Sequence, residues 1–234
     1  MNPETLVREF TEGKVLLFNK PLYWTSFDLV RKIKFILKTQ LGLKKIKIGH
    51  AGTLDPLATG LMVICSGKET RNIELYQSGV KEYISVMRLG ATTPSFDLET
   101  DIDKYYSTDH ITFDLIVDAF KRLTGEQLQY PPLFSAKSVG GTRAYKLARS
   151  GNVIELNPSP VVIYSLQLIS MDLPYIEARI ECSKGTYVRS LARDIGESLS
   201  CGAHLVRLIR TRSGSFEIKD ALNIEDFERN LVLL

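Results

Sequence analysis

The chain has 234 residues, of which 44% are hydrophobic and 24% are charged, with a formal net charge of +3. This balance supports a buried core and excludes an intrinsically disordered chain, and no run approaches the roughly 18 apolar residues of a membrane span. The cysteines Cys65, Cys182 and Cys201 are odd in number and far apart, which disfavours a disulfide framework. They indicate a reducing, cytoplasmic location.

The first clear elements are a buried strand at residues 15–18 and an amphipathic helix that follows Pro21. Ser26 or Asp28 is expected to cap this helix. Its apolar face is predicted to carry Leu29, Ile33, Ile36 and Leu37.

Basic residues are concentrated in and after this helix, and again near the end of the chain. The two groups are Arg31, Lys32, Lys34, Lys38, Lys44, Lys45 and Lys47, and Arg207, Arg210 and Arg212. Such runs are usually solvated faces. Here they have aromatic neighbours, and the combination also suits RNA binding, because aromatic rings stack on exposed bases and basic groups contact the phosphates. These aromatic residues are Tyr23, Trp24, Tyr83, Tyr130, Tyr145 and Tyr187.

The segment Gly49–Leu61 places a single acid, Asp55, between small residues and Pro56. Proline disfavours helical geometry at the preceding residue, and the glycines allow another chain to approach closely. The local pattern fits a displayed catalytic carboxylate and an ordinary Asx turn about equally well. It lacks the glycine and lysine spacing of a phosphate-binding loop.

Further strands are predicted at residues 83–89 and 161–170, with a helix at residues 113–123 after Thr112. Residues 175–182 alternate strictly between apolar and polar side chains, which predicts a half-exposed strand. A helix follows it, and the intervening turn presents Tyr187 and Arg189. Residues 92–106 and 129–157 are expected to be irregular excursions. Cys201 and His204 lack further partners at metal-ligand spacing and are interpreted as ordinary buried residues.

The motifs taken together resemble the TruB-type tRNA pseudouridine synthases, and they occur in the family's order. The matching segments are Asn19-Lys20-Pro21 with Thr25-Ser26, residues 49–61, Tyr83 with Leu89-Gly90, Pro131-Pro132 with residues 135–137, residues 141–145 with 148–149, residues 182–191, and residues 202–205 with Leu208 and 210–212. The resemblance covers most of the chain.

The resemblance implies an α+β fold of the pseudouridine synthase type, with a central mixed, largely antiparallel sheet flanked by helices and loops. It implies a catalytic domain at residues 1–218 and a short C-terminal segment at 219–234 without a full accessory RNA-binding domain. The expected reaction isomerises the T-loop uridine at tRNA position 55 to pseudouridine, with neither metal nor organic cofactor. The expected partner is the tRNA T arm, and the enzyme is expected to be a cytoplasmic monomer.

The family's catalytic aspartate maps onto Asp55, which attacks C1′ of the ribose or otherwise assists glycosidic cleavage. Arg189 is expected to pair with Asp55, with Asp97 orienting this arginine. Tyr83 resembles the tyrosine that stacks on the extruded base. For Arg189 the alternative is a surface helix position, and for Tyr83 it is core packing.

Four further residues are expected to bind the substrate. Tyr187 and Leu208 should line the uracil pocket, and His50 should help the nucleotide leave its stack. Lys20 should hold the Asp55 loop or contact backbone phosphates. The alternatives are core packing for Tyr187 and Leu208, a capping or core histidine for His50, and a solvated lysine for Lys20.

The chain departs from the family pattern at two places. Pro94 follows Thr93 where a Thr-Asp-Thr-like sequence is usual, and Ile209-Arg210 replaces a pair of arginines, so one phosphate or structural contact is expected to be missing. Three other functions stay open: an RNA-binding chaperone without chemistry, a synthase of the guide-RNA-dependent branch, and a purely structural protein.

Overall fold

The computed structural model describes residues 3–135, 137–139, 142–143 and 156–232. The strands are β1 (Val15–Lys20), β2 (Ile48–His50), β3 (Ala58–Ser66), β4 (Lys81–Leu89), β5 (Ala91–Thr92), β6 (Lys104–Tyr105), β7 (Gly125–Gln129), β8 (Ser138–Val139), β9 (Thr142–Arg143), β10 (Ser159–Asp172), β11 (Tyr175–Cys182), β12 (Ala203–Ser213) and β13 (Phe216–Glu217). The helices are α1 (Pro3–Glu12), α2 (Ser26–Leu41), α3 (Ile73–Ser78), α4 (Phe113–Arg122), α5 (Val188–Ser198) and α6 (Ile224–Val232). Short 3-10 helices occupy Gly67–Asn72 and Ile218–Asp220.

The chain divides into two compact units, and the boundaries fall inside β4 and β12. Unit 1 comprises Met1–Tyr83 and Ile209–Leu234, and unit 2 comprises Ile84–Leu208. The strand order is β1-β3-β12 in unit 1, with β2 also on β3 and β13 on β12. In unit 2 the order is β4-β11-β10-β7.

The predicted α+β fold is confirmed, and its sheet is largely antiparallel. The pairs β1–β3, β2–β3, β10–β11 and β10–β7 all run antiparallel. A parallel bridge joins Phe18 to Leu222 and brings the end of the described chain against β1 in unit 1. There the Phe227 ring of α6 meets the Phe18 ring edge to face, with centroids 5.1 Å apart.

Helix α2 forms where the periodicity predicts it, and its predicted apolar face is buried. Burial of each such large aliphatic side chain contributes about 1.5–3 kcal/mol. The predicted cap is wrong, because the N-cap is Thr25: its hydroxyl accepts the Asp28 backbone N–H, and the Asp28 carboxylate accepts the Thr25 N–H in return. The helix ends at Gly42, whose φ of +67° favours glycine.

In unit 2 the alternating segment forms β11, with Ile176, Ala178, Ile180 and Cys182 buried as predicted. Helix α4 begins after Thr112, whose hydroxyl accepts the Leu115 N–H at 3.3 Å. The excursion at residues 92–106 contains only the short β5–β6 pair and turns. Part of the second predicted excursion, with Tyr145, lies in residues 144–155, outside the described residues.

Across the described ranges, no helix is long and apolar enough to cross a membrane.

Candidate active site

Asp55 lies in the seven-residue connection between β2 and β3, two strands that pair antiparallel. The Ala51 N–H still donates to Val63 O at 2.8 Å, and the connection then leaves the ladder. It returns through a turn in which the Ala58 N–H donates to Asp55 O at 3.0 Å. The Asp55 side chain is half-buried. The sequence therefore displays one carboxylate on a short loop anchored at both ends by strands.

Ser26, at the first turn of α2, holds the residue before Asp55. Its hydroxyl accepts the Leu54 N–H at 2.9 Å and donates to Leu54 O at 3.1 Å, and the side chain is buried. The hydroxyl is engaged by the loop, which explains why Thr25 caps the helix. The helix start and the Asp55 loop are thus joined by two hydrogen bonds through one side chain.

Ser26→Ala should lower kcat by about 10-fold and the free energy of unfolding by about 1–3 kcal/mol, because both backbone groups of Leu54 lose a buried partner. Ser66→Ala is the matched control. The buried Ser66 hydroxyl makes the same two backbone contacts, to Lys14, at the opposite end of β3. Thermal unfolding and steady-state kinetics should show both variants destabilised and only Ser26→Ala slowed. Equal loss of kcat in both would contradict this role of Ser26.

Arg210 of β12 holds the same loop from another side and is fully buried. Its guanidinium donates from Nε to Leu61 O at 2.7 Å, from Nη2 to Gly52 O at 3.2 Å and from Nη1 to Thr53 O at 3.5 Å. Gly60, with φ of +104°, permits the close approach of the Arg210 backbone, since a Cβ there would lie 2.4 Å from Arg210 O. At the position where Ile209-Arg210 departs from the family pattern, the remaining arginine, Arg210, therefore makes a structural contact.

Lys20 is buried at the end of β1 and donates from Nζ to Trp24 O at 2.6 Å and to Pro21 O at 2.9 Å. The turn it closes touches the Asp55 loop, because the Tyr23 N–H donates to Pro56 O at 2.8 Å. Burial lowers the pKa of Lys20 to about 8, and the nearby Asp55 charge partly opposes this shift. Lys20 is predicted either to hold the Asp55 loop or to contact backbone phosphates. Its buried position favours the first role.

Lys20 should make the free energy of unfolding depend on pH in alkaline solution. Below about pH 8 the folded protein carries a buried ammonium, whereas the unfolded lysine stays charged up to about 10.5. Because the folded state releases its proton first, the wild type should gain stability relative to Lys20→Met as pH rises from about 8 to 10.5. Urea titrations of both proteins across this window provide the measurement. A constant difference would contradict the lowered pKa.

His50 ends β2 beside the same loop. Burial and the nearby Arg210 charge lower the pKa of His50, with a backbone contact to Gly52 opposing them, so the imidazole is neutral at pH 7. Its Nδ1 is buried and has no hydrogen-bond partner among the described residues. Tyr83, also in unit 1, is buried in β4. The neutral imidazole of His50 suits contact with a nucleic-acid base rather than with a phosphate.

In unit 2, Arg189 at the first turn of α5 is buried with Asp97. Its Nη1 lies 3.5 Å from Asp97 Oδ2, and its Nη2 donates to Phe134 O at 3.1 Å. The predicted contact between Asp97 and Arg189 is confirmed. The Pro94 departure leaves it intact, since Thr93 Oγ1 donates to Asp97 O at 2.7 Å and closes the loop.

Tyr187 precedes α5 and is held by Gln129, a residue that the sequence reasoning missed. The Tyr187 N–H donates to Gln129 Oε1 at 2.8 Å, and Gln129 Nε2 donates to Tyr187 O at 3.1 Å. Gln129 is buried, and the Tyr187 side chain is half-buried. Leu208 is buried in β12. A buried glutamine at the end of β7 thus fixes the backbone of a predicted pocket residue.

Unit 1 therefore brings Lys20, His50 and Arg210 to the Asp55 loop, and unit 2 pairs Arg189 with Asp97. The pairing of Arg189 with Asp55 stays a prediction.

His204 is buried with Nδ1 2.9 Å from Ala91 O. In the part of the chain that the structure describes, no three potential metal ligands lie together.

The fold resembles chains in two solved complexes. One is the crystal structure of a Cbf5-Nop10-Gar1 complex, with a TM-score of 0.73 and 27% identity over 97% of this chain and 57% of that chain. Another is an H/ACA RNP bound to a substrate RNA containing 2′-deoxyuridine, with a TM-score of 0.70 and 26% identity over 97% and 56% of the two chains. The chain spans somewhat more than half of these proteins. The chain has the pseudouridine synthase fold.

Sequence comparison narrows this class to one family. Residues 38–188 match the model described as TruB family pseudouridylate synthase (N terminal domain), and residues 189–234 match the tRNA pseudouridylate synthase B C-terminal domain. The chain is 56% identical to tRNA pseudouridine synthase B of Phocaeicola vulgatus over 93% of both chains. It is 48% identical to the Flavobacterium johnsoniae protein of that name, over 99% of this chain and 100% of the relative. The chain belongs to the TruB family of pseudouridylate synthases.

Proposed function

We propose that this protein isomerises the T-loop uridine at tRNA position 55 to pseudouridine. Membership of the TruB family and the relatives named tRNA pseudouridine synthase B support the reaction and its tRNA substrate. The observation that carries the site assignment is the anchoring of the Asp55 loop by Ser26 and Arg210. A preorganised carboxylate is what a reaction at a sugar carbon requires.

The reaction replaces one glycosidic bond by another without loss of atoms. The N1–C1′ bond breaks, the uracil is retained and turned, and C5 bonds to C1′. The proton on C5 leaves, and N1 gains a proton. Asp55 attacks C1′ or assists glycosidic cleavage, as carboxylates do at other sugar centres.

The other predicted residues serve the substrate. Arg189 orients the Asp55 carboxylate, and Asp97 in turn orients Arg189 through their ion pair. Tyr83 stacks on the extruded base, with Tyr187 and Leu208 lining the uracil pocket. His50, as a neutral ring, helps the nucleotide out of its stack, and Lys20 keeps the Asp55 loop in place.

The enzyme acts on the tRNA T arm as a cytoplasmic monomer. Residues 1–218 form its catalytic domain, and 219–234 form a short C-terminal segment. The contacts of Leu222 with Asn19 and Leu17 support a segment that packs on the catalytic core, because both backbone hydrogen bonds measure 2.9 Å.

Tritium release from a T-arm transcript with 5-tritiated uridine tests the reaction directly, since the C5 proton must leave. The purified protein should release tritium from the bare stem-loop without accessory proteins or a guide RNA. Activity only after addition of a guide RNA complex would support the guide-dependent branch. Release of no tritium under either condition, with RNA binding intact, would support a binding protein and contradict the proposal.

A further inference from the structure

An open groove of about 570 Å³ lies in unit 1 along the start of α2. We call it the α2 groove. It is lined by Tyr23, Trp24, Asp28, Arg31, Lys32 and Phe35. Its walls combine aromatic rings with basic groups, and pockets that hold ligands are typically lined by aromatic side chains with a few polar or charged groups.

The exposed face of α2 continues the same composition beyond the groove. Phe27 is 67% exposed and Phe35 is 56% exposed, although the opposite face of this helix buries five aliphatic side chains. The aromatic and basic residues recur at helical spacing and so share one face. In chain order they are Phe27, Arg31, Lys34, Phe35 and Lys38. The packing of α2 does not account for the two exposed phenylalanine rings.

The groove begins beside the candidate catalytic loop. Tyr23 lines the groove, is 74% exposed, and donates its backbone N–H to Pro56 O, one residue after Asp55. Its φ of +67° is a conformation that bulky residues rarely adopt, yet a tyrosine stands there. A strand of RNA that reaches Asp55 therefore passes Tyr23 if it continues onto α2.

The charge of this surface suits a polyanion. Helix α2 carries Arg31, Lys32, Lys34 and Lys38 against a single acid, Asp28. The Asp28 carboxylate is already engaged by Thr25 and by Arg31 at 2.8 Å. The ammonium of Lys32 pairs with Glu228 at 2.6 Å and also lies 5.8 Å from the centre of the Phe35 ring.

We propose that the α2 groove and the adjoining exposed face of α2 bind unpaired nucleotides of the RNA substrate next to the target uridine, by base stacking on Phe27, Phe35 and Tyr23 and phosphate contacts from Arg31 and Lys34. Flat aromatic rings interleaved with cations bind single strands because every base has a stacking face and every nucleotide a phosphate. An acidic peptide fits the charges but not the exposed rings. The inference rests on the proposed function and adds a second contact with the same RNA.

The test compares two double variants with matched exposure. Arg31→Ala/Phe35→Ala removes one cation and one ring from the α2 groove. Phe113→Ala/Lys121→Ala is the control on α4, where Phe113 is 59% exposed and Lys121, like Arg31, is about 70% exposed in an i,i+3 ion pair. The probes are a T-arm hairpin, whose loop holds the unpaired nucleotides next to the target uridine, and an oligouridylate of about ten nucleotides.

The α2 groove variant should raise Kd for the oligouridylate about 10-fold or more and reduce the salt slope of binding by roughly 0.7 for the lost phosphate contact. It should raise KM for the T-arm hairpin while kcat stays unchanged, and the α4 control should match the wild type. Asp55→Asn should lose kcat and keep oligouridylate binding, so failure of the catalytic proposal is seen separately. Unchanged Kd in the groove variant, or equal competition by polyglutamate of the same length, would overturn the inference.

Discussion

Asp55→Asn should lower kcat for pseudouridine formation by on the order of 10⁴-fold or more. The substitution keeps the size of the side chain and removes the negative charge, which is the property that attack at C1′ or support of a positive sugar carbon requires. Because the loop is held by Ser26 and Arg210 through backbone groups, the fold should not change. Single-turnover tritium release with excess enzyme measures the effect.

RNA binding gives the internal control for this prediction. The Asp55→Asn protein should bind the T-arm hairpin within about threefold of the wild-type Kd, since one half-buried carboxylate contributes little to phosphate recognition. Asp114→Asn, an exposed acid in the first turn of α4, should keep full activity. Retention of more than about a tenth of the activity by Asp55→Asn would show that another group performs the chemistry.

Arg210→Met should cost about 3–5 kcal/mol of unfolding free energy and lower kcat at least about 100-fold. Methionine occupies a similar volume but leaves the carbonyl oxygens of Gly52, Thr53 and Leu61 without the guanidinium that they now accept from. The loop that carries Asp55 then loses a fixed position. Thermal unfolding and kinetics well below the Tm separate the two effects.

Arg229→Met provides a matched control for Arg210→Met within unit 1. Arg229 is exposed and pairs with Asp226 at 3.2 Å, a surface contact that contributes up to about 1 kcal/mol. This variant should therefore keep its kcat and nearly all of its stability. If Arg210→Met is destabilised but turns over at the wild-type rate, the guanidinium supports the fold and not the position of Asp55.

The local elements could be read from the sequence because their causes are local. Strict alternation at residues 175–182 predicts β11 and its buried face, and Thr112 predicts the start of α4. The choice between Ser26 and Thr25 as the cap of α2 could not be made in this way. The Ser26 hydroxyl bonds to Leu54, a partner that is distant in the chain and that no helix pattern indicates.

The candidate site was only partly predictable, for the same reason. Asp55, Arg189 and the pocket residues followed from motif resemblance, since one loop aspartate is chemically indistinguishable from a turn residue. Arg210 has a sequence signal of its burial: it shares the buried face of β12 with Leu208, two residues earlier. A buried arginine needs several acceptors, and the glycine-rich loop supplies them. Gln129 gave no comparable signal.

The most direct test of the central claim is a structure of the protein with T-loop RNA that carries 5-fluorouridine at the target position. The account predicts that C1′ of this nucleotide lies within about 3.5 Å of the Asp55 carboxylate, which is the separation of reacting groups in a near-attack arrangement. It also predicts that the turned base contacts Tyr83, with Tyr187 and Leu208 around it. A target nucleotide bound elsewhere, with its sugar remote from Asp55, would contradict the assignment of this carboxylate as the catalytic group.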